Sequence, residues 1–121
     1  MNNATVLVID DEEDSLEVAQ IILDEYGATV HTARDGAEGL KVVNQVRPKF
    51  VISDISMPVV DGWGFIHEMK KDRSTADIPV IALTAHAMVG DRERAIGAGF
   101  NNYLTKPLTA TTFIYDLVRL L

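Results

Sequence analysis

The chain has 121 residues, 47% of them hydrophobic and 24% charged, which suits one domain and excludes a disordered or collagen-like chain. It contains no cysteine, so neither a disulfide framework nor a thiolate metal centre is available. A formal net charge of −7 repels nucleic-acid phosphates and anionic lipid on average, which argues against direct nucleic-acid binding. The residues Met1 to Thr5 lack the basic stretch and apolar core of a signal peptide. No apolar run approaches the ~18 residues of a membrane span, so a cytoplasmic protein without membrane insertion is expected.

Thr5 to Ile9 is an apolar, β-branched run without polar alternation, as expected of a strand buried on both faces, and it stops at Asp10. From Asp14 onward, Leu16, Ala19, Leu23 and Tyr26 recur at helical spacing, and Gly27 stands where a left-handed cap would end the helix. Ala28 to Ala33 reads as a weaker second strand. Asp35 followed by Glu38 resembles a capping box that opens a helix with Ala37, Leu40, Val43 and Val46 inward, closed by Pro48. Phe50 to Ser53 forms a third strand that ends on Asp54. The loop residues Met57 to Gly62 then lead into a helix carrying Phe65, Ile66 and Met69.

Ile78 to Leu83 gives a fourth strand ending at Thr84, with Pro79 near its start, where a missing donor does least harm. A helix through Met88, Ala95 and Ile96 follows, ended by Gly97 and Gly99. Asn102 to Leu104 makes a brief fifth strand, and Phe113, Ile114, Leu117, Val118 and Leu121 mark the stripe of a last helix. Five strand-helix units imply a doubly wound α/β fold with a five-stranded parallel sheet covered on both faces, because parallel neighbours need crossover connections.

In such sheets the ligand crevice lies outside the carboxyl ends of the strands, near the point where strand order reverses. The residues at those ends are Asp10 and Asp11, then Asp54, Thr84 and Lys106. A single aspartate there is as readily a helix cap as a functional group, but three acids, a hydroxyl and an ammonium converging make a site. Clustered carboxylates repel one another, so the arrangement is costly unless a cation occupies it. All-oxygen donors without cysteine or paired histidines favour Mg²⁺ over zinc. Mg²⁺ with a carboxylate, a lysine and a hydroxyl is the usual support for phosphoryl chemistry, in which a nucleophilic aspartate forms an acyl phosphate.

Four segments in order carry a family resemblance: Val8-Ile9-Asp10-Asp11-Glu12, Asp54-Ile55-Ser56-Met57-Pro58-Val59-Val60-Asp61-Gly62, Thr84-Ala85 and Tyr103-Leu104-Thr105-Lys106-Pro107. The chain, over residues 1–121 as one domain, resembles a response-regulator receiver domain of two-component signalling, of the single-domain chemotaxis-regulator type. The resemblance implies a flavodoxin-like (βα)5 fold with strand order 2-1-3-4-5. It also implies that Asp54 becomes phosphorylated by a sensor histidine kinase or phosphotransfer protein, with Mg²⁺ held by Asp10, Asp11, Asp54 and the Ser56 backbone carbonyl. Lys106 would pair with the phosphoryl oxygens. Thr84 would donate its hydroxyl, and Tyr103 would turn inward to relay the change to the face of the fourth helix, fifth strand and fifth helix. Catalysis would be confined to the domain's own phosphorylation and dephosphorylation.

Departures from the family pattern are Leu108 after Pro107, where an aromatic is common, and Ser56 and His86 at variable positions beside the path of attacking water. A Mg²⁺-dependent phosphatase similar to the haloacid dehalogenases would carry a second aspartate two residues after the first, where this chain has Ser56. A flavodoxin-like FMN carrier is disfavoured because Asp10 to Asp14 would repel the FMN phosphate and no Gly-rich cradle replaces them. His31 and His67 read as surface or capping residues, and Trp63 as packing or a wall of the acidic site. With the last stripe ending at Leu121, the expected output is another protein, and homodimerisation on phosphorylation is left open.

Overall fold

The computed structural model describes residues 4–55, 62–84 and 91–105. In chain order the elements are β1 (Thr5–Ile9), α1 (Glu13–Glu25), β2 (Thr29–Ala33), α2 (Gly36–Val46), β3 (Phe50–Asp54), α3 (Gly62–Lys71), β4 (Val80–Thr84), α4 (Asp91–Ala98) and β5 (Asn102–Thr105). The strands form one parallel sheet in the order β2-β1-β3-β4-β5, as the resemblance implies. The expected last helix lies outside the described residues, as do Met57, Pro58, His86 and Met88.

Alternation along the strands sends neighbouring side chains to opposite faces and so divides the core in two. Val6, Val8, Phe50, Ile52, Ile81, Leu83 and Leu104 pack with Leu16, Ala19, Ile22 and Leu23 of α1. On the other face Leu7, Ile9, Val51, Val80 and Ala82 meet Val43, Phe65, Ile66, Met69, Ala95 and Phe100 from α2, α3, α4 and the turn after it. With both faces covered, β3 and β4 are buried at every position, which is why their sequences read as unbroken apolar runs. The edge strand β2 is exposed at Thr29 and half-buried from Val30 to Thr32, matching its weaker signal.

Several boundaries and faces shift from expectation. In α1 the fourth inward residue is Ile22, whereas Tyr26 is exposed as the C-cap; Gly27, at φ 86°, makes the left-handed turn. The inner face of α2 is Gly36, Gly39 and Val43, with Ala37, Leu40 and Val46 only half-buried. The cause is close packing: a Cβ on Gly39 would run into Ile9 Cδ1 and come within 3.3 Å of Phe65 Cε1, so small residues let α2 approach the sheet. Asp35 caps α2 by accepting from Glu38 N–H at 2.8 Å, but Glu38 reaches back to Arg34 N–H at 3.3 Å. The capping box is therefore displaced by one residue. Strand β4 begins at Val80, two residues later than Ile78, and Gly97 lies inside α4, leaving the turn to Gly99 at φ 115°.

Alanine is intrinsically the better helix former than glycine by about 1 kcal/mol. Even so, Gly39→Ala is expected to destabilise the protein by about 1–3 kcal/mol, because buried Ile9 and Phe65 cannot both yield. Urea unfolding measures this, and a neutral or stabilising result would contradict the packing account.

Candidate functional site

The strand register assembles the site. Ile9 is aligned with Ser53, so Asp10 and Asp54 leave neighbouring strands side by side. Asp54 is in turn aligned with Leu83, which puts Thr84 one step further along the next strand, and Thr84 is itself aligned with Thr105, the residue before Lys106. Asp10, Asp54 and Thr84 are buried, at 0%, 3% and 2% exposure. Polar groups in a position this dry have to be held by surrounding structure. For Asp10 part of that holding is local: Glu12 N–H donates to Asp10 Oδ1 at 2.9 Å, and Asp10 N–H donates to Ala33 O at 3.1 Å.

Asp10, Asp11, Glu12 and Asp54 each offer a carboxylate oxygen, and these oxygens lie within 4.8 Å of one another. Asp10 and Asp54 form the buried floor, whereas Asp11 and Glu12 stand exposed at the rim. The donor set is all oxygen and strongly anionic, which fits a hard divalent cation such as Mg²⁺. Of the expected site residues, the structure thus gathers Asp10, Asp11 and Asp54, with Thr84 at the end of the adjoining strand. Ser56 and Lys106 fall outside the described residues.

Glu12 joins this group, although the sequence places only Asp10 and Asp11 among the expected site acids after the first strand. It is the N-cap of α1 in extended conformation (φ −92°, ψ 117°), and its side chain makes no capping hydrogen bond. The adjacency of a third acid to Asp10-Asp11 was the available signal. Nearby, Arg34 after β2 pairs with Glu13 at 3.0 Å, joining the start of α1 to the entrance of α2. Both partners are well exposed, so the pair contributes about 1 kcal/mol or less.

Comparison with known proteins settles the family, since the family model for the response regulator receiver domain matches residues 6–117. The chain belongs to this family. The receiver domain is 33% identical to the polar-differentiation response regulator DivK of Brucella anthropi over 91% of this chain and 89% of that protein. It is 39% identical to a probable transcriptional regulator, ycf27, of Guillardia theta over 86% of this chain, but spans only 40% of that longer protein. Its fold superimposes on the chemotaxis response regulator CheY4 of Vibrio cholerae with a TM-score of 0.92 at 28% identity, covering 99% and 100% of the two chains.

Membership makes this a signalling domain of a two-component system, a class that works with histidine kinases or phosphotransfer proteins and generally binds Mg²⁺ at an acidic pocket. Among the described residues, no helix is long and apolar enough to cross a membrane.

Trp63 at the start of α3 packs edge-on against Phe100, with ring centroids 5.8 Å apart at 82°, and Arg94 of α4 lies over the indole at 5.3 Å. Of the two sequence readings for Trp63, packing is the one with contacts behind it. His67 is exposed on α3, and His31 is half-buried in β2.

Crowded carboxylates make a metal-free site self-repelling. In EDTA, Asp54→Asn is expected to raise unfolding stability, by about 1 kcal/mol for each close like-charge contact relieved. Mg²⁺ should then stabilise the native protein more than the variant, since only ligand binding to the folded state adds stability. Equal Mg²⁺ shifts in both proteins would place the ion elsewhere.

Proposed function

We propose that residues 1–121 form one receiver domain in which Asp54 is the phosphoryl acceptor. The supporting observation is a buried carboxylate, 3% exposed, at the carboxyl end of β3, whose oxygen lies within 4.8 Å of three other carboxylates. An Asp54 oxygen attacks the phosphorus of a phosphohistidine on a sensor kinase or phosphotransfer protein. The phosphorus–nitrogen bond breaks, its electron pair stays on the imidazole, which takes up a proton, and Asp54 becomes an acyl phosphate. In dephosphorylation water attacks phosphorus, the phosphorus–oxygen bond to Asp54 breaks, and inorganic phosphate leaves the restored carboxylate.

Asp10, Asp11, Asp54 and the Ser56 backbone carbonyl would hold Mg²⁺ in this reading. The ion when bound supplies positive charge opposite the phosphoryl oxygens. The Lys106 ammonium pairs with the same oxygens. For Ser56 and Lys106 the support is their place in the sequence motifs. The domain's own phosphorylation and dephosphorylation are its only catalysis.

The Thr84 hydroxyl, at the end of β4, donates to the phosphoryl group once it is present. Tyr103, half-buried in β5 and packed against the second core cluster, then moves inward, and the change reaches the surface of α4, β5 and the final helix. Only contacts that differ between the two packings can shift their populations, and the Thr84 and Lys106 bonds are those contacts. A downstream protein reads that surface, and dimerisation through it is one form the output could take.

Beryllofluoride with Mg²⁺, a stable mimic of the acyl phosphate, is expected to shift the amides of Thr84, Tyr103 and Thr105 in the native protein and to leave Asp54→Asn unchanged. In Thr84→Ala the mimic should still bind while the Tyr103 response is lost. Nuclear magnetic resonance distinguishes these outcomes. No response in the native protein, or an equal response in Asp54→Asn, would refute the acceptor assignment.

A further inference from the structure

Gly39 and Gly99 are glycines by necessity, the first because Ile9 Cδ1 occupies the place of a Cβ, the second because its φ is 115°. Gly97 is under neither constraint. It lies inside α4 without a positive φ, and a Cβ there would meet nothing within 4 Å. Glycine at such a position lowers helix stability relative to alanine, with no close packing in return.

Little else holds this helix. Whereas α1 buries Leu16, Ala19, Ile22 and Leu23, in α4 Glu93, Arg94, Ile96, Gly97 and Ala98 are exposed, and Ala95 is the one buried side chain among its described residues. At eight residues α4 is too short to persist on propensity. Arg94 adds a contact over the Trp63 indole at 5.3 Å, made from the exposed surface. The chain that follows is firmly seated: Phe100 is buried, Asn101 N–H donates to Val80 O at 2.8 Å, and Asn101 Oδ1 accepts from Val80 N–H at 2.9 Å. A weakly held helix beside a tightly held sheet is the arrangement in which one element opens without global unfolding.

We propose that α4 is a local-opening element of the domain, that Gly97 sets how often it opens, and that the phosphoryl group draws on the opened form. The inference rests on the reading of Asp54 as acceptor and of α4 as part of the output surface, and adds a step between them. Thr84 closes β4, the strand before α4, so a change at Thr84 enters the chain on the side of α4 away from the Phe100 and Asn101 anchor. A phosphoryl group favours the opened form only through contacts that are better made there, and any gain in helix stability then works against it.

Native-state hydrogen exchange, read by nuclear magnetic resonance at the amides of Ile96 and Ala98 and corrected for intrinsic rates, compares native protein with Gly97→Ala and Gly97→Ser. In native protein these amides are expected to exchange about ten-fold or more faster than those of β1 and β3, at rates that low urea hardly changes, because a local opening exposes little surface. Gly97→Ala should slow them about four- to five-fold, and Gly97→Ser by a smaller factor, in the order of helix propensity. Beryllofluoride with Mg²⁺ should bind Gly97→Ala about two- to five-fold more weakly than native protein, for the same reason.

Exchange of the α4 amides at the rate and urea dependence of β3 would overturn the proposal, as would unchanged exchange or unchanged beryllofluoride affinity in Gly97→Ala. None of these results touches the acceptor reading. That reading fails if beryllofluoride binds Asp54→Asn as well as native protein, and the exchange measurements decide the opening of α4 in either case.

Discussion

Negative charges resist being brought together, and the receiver domain brings four carboxylates to within 4.8 Å of one another. Two of them sit where water has little access. What opposes their separation is the stiffness of the sheet beneath: β1 and β3 run side by side in parallel register, Asp10 directly follows β1, and Asp54 is the last residue of β3. Neither aspartate can retreat without pulling on a strand packed on both faces. The apolar core and the acidic site are therefore two ends of one construction, in which burial of residues such as Phe50, Ile52, Leu7 and Ile9 holds the acids in place.

Much of this was legible in the sequence because the same physics writes both. Strands covered on two faces must be apolar throughout, so β1, β3 and β4 announced themselves as unbroken runs, and the polar residue after each run marked a strand end. Strand order was not readable from spacing and came through the motifs. Less legible were the helix faces. Gly36 and Gly39 carry no hydrophobic signal, yet they are buried on the inner face of α2, and a Cβ on Gly39 would run into Ile9, whereas a periodicity of larger apolar residues pointed to Ala37, Leu40 and Val46 instead. Likewise Tyr26 lay on the expected stripe of α1 but stands at the cap, where the chain is already turning outward.

At the site, sequence position identified the strand-end acids but did not separate floor from rim. That distinction depends on how the chain turns after β1. Asp10 is drawn under by its bonds with Glu12 N–H and Ala33 O, and Asp11 and Glu12 are left facing solvent. The membership shown by the family match over residues 6–117 supplies the signalling context, which no geometry of acids alone would provide.

Trp63 is the chain's one tryptophan, and it stands between Phe100 and Arg94. The optical properties of an indole depend on the charge and polarity around it, and here a cation lying over the ring belongs to α4 while the indole belongs to α3. The protein thus carries its own spectroscopic gauge of how those two helices sit against each other. Any event that slides α4 changes the colour and brightness of a single emitter, so motion there can be followed in unlabelled protein at native concentrations.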